Sequence, residues 1–263
     1  MISYRDLAAG FKKLEIPQNV PVIVHASLSK IGEIRGGSET VLGALLANFQ
    51  SVMMPSFTFK TMLIPEAGPE NNGIQYGNGK SLNQMAEFYL ATMPADKLMG
   101  CLPETMRQHP QAIRSVHPIL SFVGLGVQEA LESQTLEEPF APILHIKEQD
   151  GWVILIGVDQ TVNTSIHAAE GLSGRKTFTR WALTTRGVYE CPNYPGCSNG
   201  FNQIQDVING ICQTTHIGNA VIQAIPLKPL VSAVINAIHE DPLALLCDNP
   251  DCEQCSAVRT SIQ

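Results

Sequence analysis

Apolar residues recur along the chain with two distinct periods. At the start, Leu7, Ala8, Phe11 and Leu14 share one face at helical spacing, with Ser3 placed to cap and Pro17 to stop, so a helix is predicted over residues 3–14. The run at 21–29 (PVIVHASLS) is β-branched and then breaks into small polar residues, and GEIRGGSET and the periodic VLGALLANF follow it. That order reads as strand, glycine-containing loop and helix. Residues 52–59 predict a second buried strand, and 64–81, rich in Gly, Asn and Pro, a long surface excursion. Helices are expected at 83–92, 103–108 and 127–133, with IRSVHPILSFVGLG between the last two reading as strand interrupted by polar residues. WVILIGVD at 152–159 is the clearest buried strand, and a helix at 163–172 opens just after it. Further strands are expected at 177–185 and around 218–225, with helices at 201–212 and 229–240. Strands and helices alternate, which predicts an α/β fold of layered α/β/α type around a central mixed sheet. No repeat, low-complexity tract or linker divides the chain. Residues 1–263 therefore read as a single domain with an excursion or subdomain at about 60–110 and a cysteine-rich tail at 247–255.

Composition narrows the function. The chain has 263 residues, 44% apolar and 16% charged, with a formal charge of −7. This is a globular composition large enough to bury roughly 70–75% of its unfolded surface without disulfides. No apolar run approaches the ~18 residues of a membrane span, and the charged, amphipathic start is unlike a signal peptide, so a cytoplasmic protein is expected. Net acidity without a Lys/Arg cluster argues against nucleic acid and anionic membranes, and leaves room for a cationic small molecule. Seven cysteines, an odd number, argue against a complete disulfide framework.

Three segments carry candidate chemistry. In Thr164-Ser-Ile-His167-Ala-Ala-Glu170, placed after a buried strand, residues three apart share a helix face, so Glu170 can reach the imidazole of His167. A carboxylate on one ring nitrogen fixes the tautomer and raises the basicity of the other, as a general base needs. The alternative is a satisfied, half-buried histidine beside a surface glutamate. Arg114-Ser115-Val116-His117 clusters donors suited to an anion, although Arg114 can equally pair with a structural carboxylate. His25-Ala26-Ser27-Leu28-Ser29, followed by Gly36-Gly37-Ser38 at a helix start, offers backbone N–H groups to a phosphate, while a plain N-cap at Ser38 explains the second part as well.

Together and in this order, the segments resemble the aminoglycoside 3-N-acetyltransferase family, antibiotic N-acetyltransferases whose fold differs from that of the common GNAT acetyltransferases. The matching stretches are VHASLSKIGEIRGGSETVLGALL, VMMPSFTF, LPETMRQHPQAIRSVHPILSFVGLG and VILIGVDQTVNTSIHAAE, and more loosely NGFNQI and DPLALLC, from about residue 21 to 247. The resemblance implies an acetyl-CoA-dependent transfer to the 3-amino group of an aminoglycoside by direct attack. His25 to Ser29, Gly36 to Ser38 and Arg114 to Val116 would hold acetyl-CoA, with His117 lining the same region. His167 would be the base and Glu170 its orienting carboxylate, and backbone N–H groups or a hydroxyl such as Thr164 would stabilise the oxyanion. Glu66, Glu70, Glu87 and Glu104 are candidates for an acidic acceptor subsite. The chain has Ala141-Pro142 where the family is expected to carry Ser-Pro, which bears on substrate positioning. A different small amine as acceptor, or a CoA-binding or interaction protein without turnover, are the alternatives.

The cysteines pose a separate question. Cys247, Cys252 and Cys255, with Cys191 and Cys197 upstream, supply enough thiols for a structural zinc. Reduced thiols in a loop-rich tail are the other reading.

Overall fold

Three parallel strands set the frame. The computed structural model describes residues 1–262. Helix α1 (Tyr4–Lys12) leads into β1 (Val22–Ala26), α2 (Gly37–Asn48) and β2 (Val52–Pro55). Ser3 closes a capping box with Asp6 at the start of α1. The short β3 (Met62–Leu63) and α3 (Lys80–Met85) precede α4 (Cys101–Gln108), β4 (Ile113–Arg114) and β5 (Phe122–Leu125). Helices α5 (Gln128–Glu132) and α6 (Ala141–Glu148) return the chain to β6 (Trp152–Ile156), followed by α7 (Thr164–Leu172). A hairpin, β7 (Phe178–Thr184) and β8 (Gly187–Tyr194), is followed by α8 (Gln205–Ile208), β9 (Gln213–Ile217), β10 (Ala220–Pro226), α9 (Leu227–Glu240) and α10 (Glu253–Ile262).

The main sheet has the order β4-β5-β2-β1-β6-β10-β9. Strand β1 lies parallel to β2 and β6, with Val22 opposite both Val52 and Trp152, while β5 and β10 flank this trio antiparallel. Because successive side chains alternate faces, Ile23, Met53, Val153 and Leu155 pack under α5, α6, α7 and α9, and Val22, Val24, Met54 and Ile154 pack under α1, α2 and α4. The mixed α/β architecture expected from the alternating pattern is thus observed. A second sheet, β3-β7-β8, lies apart from the first. No described helix is long and apolar enough to cross a membrane.

Several expected elements differ. The helix expected at 83–92 ends at Met85. Beyond it the chain turns extended at Ala86, and the Glu87 and Tyr89 amides donate to the Lys60 and Leu183 carbonyls. Pairing with distant backbone wins there over local helical spacing, and Leu82 and Met85 remain exposed. The strand expected to reach 59 stops at Pro55, although the Ser56 and Thr58 amides still donate to Ser121 and Ile119. The helix expected at 201–212 is a 3-10 turn at Phe201–Ile204 followed by the single turn of α8. Helices α6 and α10 and strands β8 and β9 were not anticipated by the pattern.

Phe122 on β5 is fully buried and meets Phe57 edge-on, 5.6 Å between ring centres. Phe122→Ala should destabilise the fold by about 3–5 kcal/mol, the usual cost of an emptied aromatic site. Urea denaturation measures it, and a loss below about 1 kcal/mol would remove this ring from the core.

Candidate active site

Chain reversal at β1 creates the site. From β1 the chain moves through α2 on one face of the sheet to β2, whereas β6, on the other side of β1, feeds α7 on the opposite face. A crevice opens at such a switch point, beyond the carboxyl ends of the strands. Here it is a cleft of about 780 Å3 walled by the segments after β1, β2 and β6, by residues 97–103 and by Tyr194–Gly196.

The turn from β6 into α7 is held by buried amides. Gln160, fully buried, accepts from Asn163 Nδ2 at 2.9 Å and donates to Gln223 at 3.0 Å. Asn163 in turn caps α7 through the Ser165 amide. Asp159 accepts from Thr161 and Asn202, which together hold its carboxyl below the ordinary range against the opposing effect of burial. One turn into α7, His167 Nδ1 lies 2.8 Å from Glu170 Oε2. The other carboxylate oxygen of Glu170 accepts from Arg175 Nη1 at 2.9 Å, and Arg175 Nη2 donates to the Pro242 and Ala244 carbonyls. All three side chains are at most 10% exposed. The imidazole stacks on Phe140 and meets the edge of Phe201 with ring centres 4.7 Å apart. With Nδ1 committed to Glu170, Nε2 is the nitrogen left for a substrate in the cleft that His167 lines.

His25 through Ser29 all line the same cleft. His25 Nε2 is 3.3 Å from Thr164 Oγ1, and burial lowers the ring's pKa to about 3, so it is neutral. The loop is pressed against the end of β6: Gly157 has φ +62°, and a Cβ there would fall 2.7 Å from Lys30 Cβ. Only glycine fits.

Other sequence candidates lie elsewhere. Gly36 and Gly37 are exposed at the start of α2, and Ser38 accepts from Thr105 Oγ1, so this turn does not line the cleft. The Arg114 guanidinium is spent on protein oxygens: Nε donates to the Ser56 and Ser121 hydroxyls, Nη2 to the Ser56 carbonyl at 2.6 Å, and Nη1 to the Ala91 and Met93 carbonyls. It staples the β2 exit loop to segment 91–93, and burial pulls its pKa below the usual arginine range. Ser115 is bonded to Gln134 and the Phe122 amide, and Val116 points outward. His117 Nδ1 accepts from the Ile119 and Leu120 amides, with burial lowering its pKa to about 4. None of these four lines the cleft. Neither do the four acidic candidates. Glu104 is held by Arg107, Gln108 and the Ala95 amide, Glu87 pairs with Lys60 on the surface, and Glu66 and Glu70 lie exposed on the excursion. Sequence reasoning missed Arg175, Phe140 and Phe201. Arg175 lies five residues after Glu170 and was within reach of a local search, whereas the two aromatics meet His167 only through the fold.

Among the cysteines, the Sγ atoms of Cys197, Cys247, Cys252 and Cys255 lie within 4.8 Å of one another. Cys191, expected among the metal candidates, is not in this group. It is buried in the main core on β8, and desolvation pushes its thiol up to about 12.

A family model described as aminoglycoside 3-N-acetyltransferase matches residues 23–239. Aminoglycoside N(3)-acetyltransferase III of Salmonella sp is 28% identical over 206 residues, 73% of this chain and 66% of the relative. The chain spans just under two thirds, 64–66%, of the first curated relatives it matches. The fold is similar to that of aminoglycoside acetyltransferase AAC(3)-IVa, solved as a His-to-Ala mutant in complex with a gentamicin, with a TM-score of 0.79, 21% identity and coverage of 99% and 97% of the two chains. It is also similar to AAC-IIIb in a binary structure with CoASH, with a TM-score of 0.73, 19% identity and coverage of 90% and 96%. The family model thus accounts for most of the sequence, including both walls of the cleft that holds His167, and the chain belongs to the aminoglycoside 3-N-acetyltransferase family.

Proposed function

We propose that this chain is an acetyl-CoA-dependent N-acetyltransferase acting on the 3-amino group of an aminoglycoside, with His167 as general base and Glu170 as its orienting carboxylate. The observation that carries the reading is the buried His167–Glu170–Arg175 chain in the cleft at the strand ends. Family membership and the fold shared with the CoASH complex support it. All seven cysteines are unpaired, in keeping with a proposed cytoplasmic setting, and the chain is taken to act as one domain with its 60–110 excursion.

In this reading the segment from Ala26 to Ser29 holds acetyl-CoA, and His167 Nε2 receives the proton of the attacking amine. The nitrogen lone pair forms the N–C bond while the carbonyl pair moves to oxygen. Return of that pair breaks the C–S bond, and the sulfur leaves with the proton from His167. Glu170 keeps Nδ1 protonated throughout and stabilises the imidazolium, while Arg175 offsets the carboxylate charge and fixes its rotamer. The hydroxyl of Thr164, on the same helix face as His167, serves the oxyanion. A different small amine as acceptor is favoured by one observation: among the described residues lining the cleft there is no aspartate or glutamate. A panel of aminoglycosides and simple amines separates the two.

We also propose that Cys197, Cys247, Cys252 and Cys255 hold a structural zinc. A tetrahedral site with Zn–S near 2.3 Å needs sulfurs about 3.8 Å apart, which the cluster meets with small adjustments. Its role would be to tie α10 and the preceding tail to segment 195–198, one wall of the cleft.

His167→Ala should lower kcat for amine-dependent CoA release by ~10²–10⁴-fold with little change in acetyl-CoA affinity, measured with a thiol reagent and by calorimetry. Wild-type turnover in this variant would remove His167 from the reaction. For the tail, elemental analysis of the purified protein should find one zinc per chain, absent from Cys255→Ser, and a chelator should lower Tm. Metal-free protein with an unchanged Tm in the variant would leave the cluster as reduced thiols.

A further inference from the structure

His25 and Thr164, 139 positions apart in the chain, meet in the wall of the cleft. His25 lies near the end of β1 on the face covered by α7, and Thr164 opens α7, one turn before His167. Both are at most 8% exposed, and both line the cleft. Burial keeps the His25 ring neutral, so one ring nitrogen donates and the other accepts. A threonine beside such a ring has two choices. It can spend its proton on the ring nitrogen, or it can accept from the ring and keep its proton for the cleft.

We propose that His25 is a positioning residue that donates from Nε2 to Thr164 Oγ1, so that the threonine proton points into the cleft at the oxygen of the thioester carbonyl. The inference rests on the acetyltransferase reading and gives His25 a role other than contact with the cosubstrate. The ammonium first releases one proton to solvent; during attack by the free amine the N–C bond forms, the carbonyl pair moves onto that oxygen, and His167 takes a second proton from the nitrogen. During collapse the pair returns, the C–S bond breaks, and the thiolate takes the proton from His167. Thr164 and His25 finish as they began, because neither gives up a proton. A neutral donor suits this role because it adds no charge that would repel the protonated amine on arrival. Its orientation is set before substrate binds, which is the condition under which a single hydroxyl is worth most in a desolvated site.

The test is steady-state kinetics of CoA release with acetyl-CoA and an aminoglycoside acceptor, alongside calorimetric affinity for acetyl-CoA. The proteins compared are wild type, T164V, H25L, H25Q and the double variant H25L/T164V. T164V should lower kcat by roughly 100-fold and H25L by about 10-fold, both at near wild-type acetyl-CoA affinity. H25Q, whose amide N–H reaches the place of Nε2, should regain most of the loss. The double variant should be no slower than T164V alone, because His25 acts only through that hydroxyl. If H25L does not fold, H25N against H25Q supplies the same comparison, since the shorter amide cannot reach Oγ1. Wild-type kcat in H25L, a loss of acetyl-CoA affinity in place of kcat, equal rates for H25N and H25Q, or multiplying losses in the double variant would each overturn the assignment alone. Wild-type protein that neither binds acetyl-CoA nor releases CoA would overturn the acetyltransferase reading and this one with it.

Discussion

A carboxylate buried between a histidine and an arginine is the interaction on which the site depends. Glu170 is 8% exposed at its side chain, a position that an unpaired charge cannot occupy cheaply. Arg175 neutralises it and at the same time takes two carbonyls from the segment at 242–244, so the helix bearing His167 is fastened to the chain that leads into the tail. Removing either partner leaves a buried charge uncompensated, typically a cost of about 3–5 kcal/mol. The same geometry that orients His167 therefore helps to hold the layer beneath it.

The cleft has two kinds of wall. The end of β1 and the turn after β6 are rigid because parallel pairing and buried amides position them. Segments 56–61 and 91–103 carry little regular structure, and there Arg114 does the holding, tying Ser56, Ala91 and Met93 together through one guanidinium. Its planar fork suits five acceptors from three directions, which a lysine could not satisfy. An arginine that looks like an anion ligand in sequence is here a fastener for the loop beside the cleft.

This contrast marks what the sequence makes legible. The alternation of buried strands and helices, the β1 and β6 runs and the His167–Glu170 spacing are local patterns, and all three were readable. The helix expected at 83–92 was not readable as anything else, because its fate depends on the Lys60 and Leu183 carbonyls. Arg114, Ser115 and His117 carried the right chemical types, yet their partners, from Ser56 to Gln134, come from other elements and consume their donors. The cysteine tail shows the reverse: spacing named five thiols, and the fold selects four by turning Cys191 into the main core.

Two histidines share the cleft under different rules. His25 has no carboxylate partner, and burial alone lowers its pKa to about 3, so the ring is neutral. His167 is nearly as enclosed, but its Nδ1 lies 2.8 Å from the buried Glu170 carboxylate. One strand end and one helix, placed on the same face of the sheet by alternation, thereby bring together a histidine without a charged partner and a histidine bonded to a carboxylate. The division of labour proposed for the two rings follows from which of them was given a carboxylate.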